Sequence, residues 1–543
     1  MKKEKTGFQH QPETWLILLL LLLGYFLFYH NMGDRYIWSP DEDEYALVNR
    51  EMVEDGHWIY PTANGKPYSI KPPLFNWIGS FFSLLNGEVT EFTSRLPSTL
   101  AGMAGVIAIF FLGQMLFGRR AGFLSAVVLA TSPLYIEFAR WIQINMISTM
   151  LLSVTLACFY WGYKNERKRK TAYLLMYVPM GLGTLNMGPV NVVMPAIVIG
   201  LYLLAMRDFR HIFRLRLVWG TVIYLLIVAP WYVTVSLGQG YAEGLLVTTN
   251  FTRYFGHFSH ARPFYYYFTT TPPYFLPWVL YLPGAVYLYF FHQTGKDERK
   301  ELLFPLIWAA GIFIFFSISK TKRSEYMLPI FPALALMVGY LLDRAFLYWQ
   351  EGIFWRRLVT WPTCIFLAVC LLAGLGLPLY TWWMAADWLL VVLPISVICL
   401  TGAAISFVFL KKNKGLPAIV AVVLLITAIV TYGTGAIVGK VNDRNSARSF
   451  CLAIKDKIKD DEKLITYDFY RPVYAYYTRK FVEDIKDPET LLRHFKSKKP
   501  VYVYTREKDY LQLKDTFPAA IYVIHKQWID HRYVVLLSNF PDD

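Results

Sequence analysis

The chain has 543 residues, of which 55% are hydrophobic and only 17% charged, with a mean hydropathy of +0.34 and a formal net charge of +15. A soluble protein carries about a quarter charged residues, so this composition excludes a soluble globular chain and points to a polytopic membrane protein. The surplus Lys and Arg sit in short loops between apolar runs, a pattern of membrane topology rather than of nucleic-acid binding.

The first apolar run, 15–32, follows the basic start MKKEK and is about long enough to cross a bilayer. No small-residue cleavage site follows it, so it reads as a retained signal anchor. Further apolar runs lie at 96–117, 121–137, 145–163, 172–187, 189–206, 215–237, 273–292, 302–317, 326–347, 358–380, 387–410 and 416–438. With the anchor they make about 13 α-helical spans. The pair 172–187 and 189–206 meets at Gly188-Pro189, where the spans are shortest.

The connecting loops alternate in charge. Arg119-Arg120, the 164–170 stretch KNERKRK, 207–216, 295–300, 344–357 and 411–415 are basic. Placing them in the cytoplasm puts the loops 33–95 and 238–272 and the tail 439–543 outside, with a cytoplasmic N-terminus. The domains expected are therefore a membrane domain over 1–438, including both outer loops, and a small external α/β domain over 439–543. In the tail, 463–469, 500–505, 519–525 and 532–538 alternate as strands, whereas 446–458 and 487–497 have helical spacing, the latter with Asp487 as N-cap. No Gly-rich phosphate loop or zinc spacing marks this tail, and it reads as an accessory or packing domain. Four of the five cysteines, Cys158, Cys364, Cys370 and Cys399, lie in apolar runs and Cys451 in the tail, a distribution without a disulfide or metal framework.

Three outer segments concentrate chemistry. The loop after the anchor carries Asp41, Glu42, Asp43, Glu44, Tyr45, Tyr68 and Lys71-Pro72-Pro73; the segment 248–278 carries Arg253, His257, His260, Arg262 and Tyr265-Tyr266-Tyr267; the segment 317–329 carries Lys320, Lys322 and Arg323 against the positive-inside trend. Interfacial Lys and Arg pair with a lipid phosphate at headgroup depth. A neighbouring carboxylate activates a hydroxyl acceptor or orients a charged one. The tyrosines serve as an interfacial belt or as a sugar-stacking surface, and the two histidines as hydrogen-bonding groups or metal ligands. Glu51, Glu54 and Asp55 read as a solvated helix face. The chemistry suggested is group transfer from a polyprenyl phosphate. A transporter or flippase is the competing class, but its ionisable groups belong near the bilayer midplane, and the span centres here are almost free of charge. A lipid-binding scaffold is a third class.

Asp41-Glu42 with Tyr45, then Arg50-Glu51-Met52, Trp58, Pro61, Asn64-Gly65, Tyr68 and Lys71-Pro72-Pro73-Leu74, resembles the first outer loop of the bacterial aminoarabinose-transferase and protein-mannosyltransferase-like families. Arg253, His260-Ala261-Arg262-Pro263, Tyr266-Tyr267, Pro277-Trp278, Ser319-Lys320, Tyr326 and Leu328-Pro329 extend the resemblance along nearly the whole chain. It implies a GT-C fold and transfer of a sugar from a polyprenyl (undecaprenyl) phosphate to lipid A, another envelope glycan or a protein hydroxyl, in a bacterial inner membrane. By position it implies Asp41 as the essential carboxylate of the first loop and Lys71 as the donor-phosphate ligand, with Tyr45, Tyr68 and His260 in the same cavity; the outer cations Arg253, Arg262, Lys320 and Arg323 read as further phosphate-binding groups. Glu42, Glu44, Tyr45, Tyr68, Asn145, His260 and Tyr266 would line the substrate cavity. The chain departs from the family pattern at Ile70, where Glu is frequent, at Glu44, where Arg is frequent, at Asn145 in place of Asp and at Met187 in place of Lys. Ile70 removes a frequent metal ligand, so neither metal nor cofactor is expected.

Overall fold

The computed structural model describes residues 12–38, 40–237, 262–291, 296–459, 462–514 and 521–541. The chain divides into two compact units. One comprises Met1–His30, Ser69–Phe75 and Pro97–Thr434; the other comprises Asn31–Tyr68, Asn76–Leu96 and Gly435–Asp543.

The first unit is helical. Among the described residues, eight helices are long and apolar enough to cross a membrane, or ten if each of two bent pairs is one span. Both bends fall at prolines, which remove a helical N–H and crowd the preceding turn. The helices Arg119–Ala130 and Pro133–Ala139 meet at 68°, and Tyr266–Tyr274 and Trp278–Phe291 at 109°, across Pro272, Pro273 and Pro277. The two short expected spans are separate helices, Arg169–Met187 and Val190–Ala205, broken where Gly188 takes φ 90° immediately before Pro189. Small residues let backbones meet: a Cβ on Gly122 would stand 2.4 Å from the Phe110 carbonyl oxygen, so the helices Glu91–Phe117 and Arg119–Ala130 pack in direct backbone contact. The ion pair Arg120–Asp343 ties the Arg119–Ala130 helix to Phe331–Leu347.

The second unit joins the loop that follows the first apolar helix to the C-terminal region. The loop is more ordered than its sequence announces. It contains the helix Glu42–Glu54 and a two-residue hairpin, β1 (Thr62–Ala63) against β2 (Lys66–Pro67), followed by the start of the helix Leu74–Asn86. The hairpin turn is Asn64-Gly65, both at positive φ (56° and 68°). That is the geometry a tight antiparallel hairpin needs, and Asn-Gly is the pair that adopts it most readily.

The C-terminal part is a five-stranded sheet in the order β4-β3-β5-β7-β6, with β3 Lys463–Tyr467, β4 Val482–Ile485, β5 Val501–Arg506, β6 Tyr522–Ile529 and β7 Arg532–Ser538. β3 pairs in parallel with β4 and β5, and β7 antiparallel with β5 and β6. Its core buries Ile465, Ile485, Leu491, Val503, Val535 and Leu537. Asp487 caps the helix Pro488–Phe495, its carboxylate accepting from the Thr490 amide at 2.8 Å, as its sequence position predicts. Four expected strands match β3, β5, β6 and β7, but β4 and the helices Pro472–Thr478 and Glu507–Lys514 were not anticipated. β4 spans only four residues, VEDI, with no clean alternation to announce it.

Candidate active site

The four consecutive acids of the first loop have four different environments. Glu42 is fully buried. It accepts from Arg35 Nη2 at 2.5 Å and Arg95 Nε at 3.4 Å, and its other oxygen faces the Trp38 amide at 3.4 Å. Arg95 also donates to the carbonyls of Met32 (2.9 Å), Arg35 (2.5 Å) and Tyr36 (3.2 Å). Glu42 therefore holds the loop together as an internal ion-pair centre. This corrects its assignment to the substrate cavity, because a carboxylate sequestered between two guanidiniums has no accessible face. Asp43 is also buried, with Oδ1 accepting from the Glu44 amide at 3.0 Å. Asp41 and Glu44 are the half-exposed pair.

Asp41 stands at the N-cap of the helix Glu42–Glu54 with φ 81° and ψ −47°. This is close to the strained γ-turn geometry that non-glycine residues seldom adopt. Such strain persists where surrounding packing enforces it, and it clusters at functional positions. The packing here is visible: Glu42, the next residue, is locked between Arg35 and Arg95. The helix N-terminus favours the three carboxylates of its first turn.

Tyr45, one turn into the helix, and Tyr68, just after the hairpin, are buried and meet edge to face with centroids 6.5 Å apart. Tyr68 is set by its amide donating to the Pro61 carbonyl at 2.8 Å, and Tyr45 by Asn76, whose Nδ2 donates to its carbonyl at 3.0 Å. Burial first, then the Tyr45 hydroxyl and the carboxylates of Glu44 and Asp41, push the Tyr68 phenol well above its ordinary range. It remains a protonated hydrogen-bond donor at physiological pH. The unit thus brings together Asp41, Glu44, Tyr45 and Tyr68.

Tyr470, just beyond β3, lies unannounced within electrostatic reach of the same acidic turn. Burial and the carboxylates of Glu51, Asp43, Glu44 and Asp484 raise its pKa. More than 400 residues separate it from the first loop, so no local pattern could link the two; the only hint is its place in the aromatic run YDFYRPVYAYYT.

Glu51 corrects a second expectation. It is 5% exposed rather than part of a solvated face. Its carboxylate accepts from Thr62 Oγ1 at 2.6 Å, the Asn64 amide at 2.5 Å and the Gly65 amide at 3.2 Å. Glu54 remains on the surface, paired with Arg50 at 3.5 Å.

In the helical unit, Lys71 is half-buried ahead of Pro72-Pro73. Arg262 and Lys320 are exposed and adjacent, the Arg262 amide donating to the Lys320 carbonyl at 3.4 Å. The Arg262 guanidinium lies 5.9 Å from the Tyr266 ring. Lys322 differs from these cations: it is 4% exposed and its ammonium donates to the carbonyls of Arg262 (3.2 Å) and Ser319. It therefore works as a latch between two segments. Burial lowers its pKa. Arg323 pairs with Glu325. Asn145 is buried with Nδ2 donating to Gln143 Oε1 at 3.2 Å, and Met187 meets Ser148 Oγ at 3.7 Å, so both departures leave uncharged groups. Arg253, His257 and His260 lie outside the described residues. Among the described residues no three His, Cys, Asp or Glu side chains gather into a metal-sized cluster.

Comparison with known proteins places the fold. The sequence profile of the dolichyl-phosphate-mannose-protein mannosyltransferases matches residues 70–233. The structure superimposes on ArnT from Cupriavidus metallidurans bound to undecaprenyl phosphate with a TM-score of 0.83, at 22% identity, covering 97% of this chain and 99% of that one. An Archaeoglobus fulgidus oligosaccharyltransferase aligns with a TM-score of 0.56 at 12% identity, over 92% of this chain and 70% of that one. The fold is that of the GT-C membrane glycosyltransferases. Within that class the chain resembles the bacterial aminoarabinose transferases. It is 29% identical over 365 residues to the undecaprenyl phosphate-alpha-4-amino-4-deoxy-L-arabinose arabinosyl transferase of Aeromonas salmonicida, covering 66% of this chain and 64%, just under two thirds, of that relative. An uncharacterized protein of Aquifex aeolicus is 27% identical over 88% of this chain and 90% of its own length.

Proposed function

We propose that this protein is an inner-membrane glycosyltransferase that moves a sugar from undecaprenyl phosphate to lipid A or another envelope acceptor at the periplasmic surface. The acceptor oxygen attacks the anomeric carbon. The bond from that carbon to the phosphate oxygen breaks, and polyprenyl phosphate leaves with the electron pair. Lys71, with Arg262, Lys320, Arg323 and Arg253, stabilises the charge on the departing phosphate. Asp41 orients the acceptor, or takes its proton when the acceptor is a hydroxyl; an acceptor phosphate is already a nucleophile and needs no base. Glu44, Tyr45 and Tyr68 line the sugar site, with Asn145, Tyr266 and His260 as further contacts. A cytoplasmic N-terminus and an external C-terminal domain over 439–543 complete the reading. The two bent pairs, the shorter apolar helices Glu13–Tyr29 and Val190–Ala205 and the helix Arg169–Met187, each taken as a crossing, are consistent with about 13 spans in the membrane domain 1–438.

The observation that carries the assignment is Asp41 itself: a half-exposed carboxylate in a strained conformation, one residue from a locked ion-pair centre and beside two buried tyrosines. The test is transfer by purified protein in detergent, from an undecaprenyl-phosphate aminoarabinose donor to lipid A and, separately, to a hydroxyl acceptor. Asp41→Asn should lose about 10²–10⁴-fold with a hydroxyl acceptor. Full turnover by Asp41→Asn with both acceptors, alongside an inactive Glu44→Gln, would move the role to Glu44.

A further inference from the structure

The tail that reads as an accessory domain is joined to the first loop through a short chain of hydrogen bonds. β4 is an edge strand of the five-stranded sheet. On it, Val482 donates its amide to Asn64 Oδ1 at 2.9 Å and accepts from Asn64 Nδ2 at 2.7 Å. The primary amide of Asn64 thus imitates the backbone of a neighbouring strand. Asn64 is also the first residue of the β1–β2 turn, and its backbone amide donates to Glu51. One residue back on the same helix, Arg50 Nη1 donates to the carbonyls of Ala475 and Tyr476, both at 2.6 Å, at the end of the helix Pro472–Thr478.

Residues 50 and 51 therefore fasten one end of the helix Glu42–Glu54 to the C-terminal domain, while Asp41 stands at its other end. The lever between them is roughly 14 Å at 1.5 Å per residue. A tilt of about 4° at the fastened end would move the Asp41 carboxylate by about 1 Å, and misplacement on that scale costs up to about 10²-fold in rate.

We propose that the C-terminal α/β domain is the positioning element of the catalytic loop, and that Asn64 is the positioning residue through which its edge strand sets the pose of Asp41. This rests on the assignment of Asp41 above. Tyr470 of the same domain feels the carboxylates of Asp43, Glu44 and Glu51 of the loop helix.

Asn64→Gly isolates the joint, because glycine accepts the left-handed turn conformation while deleting the short side chain whose amide makes the two bonds to Val482. Two readouts on the full-length protein in detergent test the proposal. Hydrogen exchange of the amides in 42–54 should quicken about tenfold in Asn64→Gly, the scale expected for one or two lost hydrogen bonds, with β3 and β5 unchanged. Transfer should show kcat lowered about tenfold with KM for the polyprenyl donor unchanged. Arg50→Lys, which keeps the charge but can bridge the two carbonyls less well, should shift both readouts in the same direction, and it replaces Asn64→Gly if that variant does not fold. A variant that melts earlier yet exchanges and turns over like the parent would overturn the proposal, since that is the signature of a purely structural contact. The exchange readout is independent of the chemistry. Normal kcat in Asn64→Gly with an inactive Asp41→Asn sinks this inference alone, whereas an active Asp41→Asn sinks the catalytic assignment instead.

Discussion

Glu51→Gln is the substitution for which sequence and structure make opposite forecasts. On a solvated face it would change nothing. In the folded loop, Glu51 Oε1 accepts from the Asn64 amide and Oε2 from both Thr62 Oγ1 and the Gly65 amide. Glutamine turns one of those oxygens into an NH2 group. Placed at Oε1, that group faces the Asn64 N–H; placed at Oε2, it faces the Gly65 N–H. The Thr62 hydroxyl can rotate to accept, but a backbone amide cannot. Either orientation therefore leaves one buried N–H without its acceptor, at a cost of about 1–3 kcal/mol, and the surviving bonds lose their charge assistance, for a total of about 2–4 kcal/mol. In a folding unit of this size that corresponds to an apparent melting temperature lower by roughly 5–15 °C. The assay is thermal unfolding in detergent followed by tryptophan fluorescence, with Glu54→Gln as the surface control, expected within about 0.5 kcal/mol of the parent. Equal melting of Glu51→Gln and the parent would refute the reasoning and return Glu51 to the solvent.

Two further outcomes are expected. Glu42→Gln leaves Arg35 and Arg95 buried beside a neutral group, and breaking a buried ion pair from one side costs about 3–5 kcal/mol. The yield of monodisperse protein on size exclusion should fall sharply, and a well-folded but inactive variant would instead restore Glu42 to the substrate cavity. Lys71→Ala should weaken binding of undecaprenyl phosphate roughly 10–100-fold, the worth of one charge-assisted hydrogen bond, in a calorimetric titration of otherwise normal protein. Unchanged affinity would move the phosphate to Arg262, Lys320 and Arg323.

Much of this molecule was legible in its sequence. Apolar runs announce membrane helices because a bilayer demands internally satisfied backbone over a set length. The break at Gly188-Pro189 and the cap at Asp487 are local chemistry, visible in the residues themselves. The Asn64-Gly65 pair marked the motif, although the hairpin it turns was not anticipated. The acids of 41–44 were conspicuous as a group, and Asp41 was singled out by resemblance to a family rather than by any property readable from its neighbours.

What tertiary structure decided is the division of labour within that group. Glu42 became an internal ion-pair centre because Arg95, 53 positions away, folds back onto it, and Glu51 became an anchor because a hairpin turn aims two amides at it. Lys322 turned from a phosphate candidate into a latch because two carbonyls enclose its ammonium. Tyr470 came within electrostatic reach of the acidic loop helix, and the tail was hydrogen-bonded to the first loop, across some 400 residues of sequence. Composition and periodicity report a residue's affinity for lipid, water or helix, which is a property of a short window. Whether a carboxylate binds substrate or binds the protein depends on which donors surround it, and those donors come from segments that only the folded chain brings together.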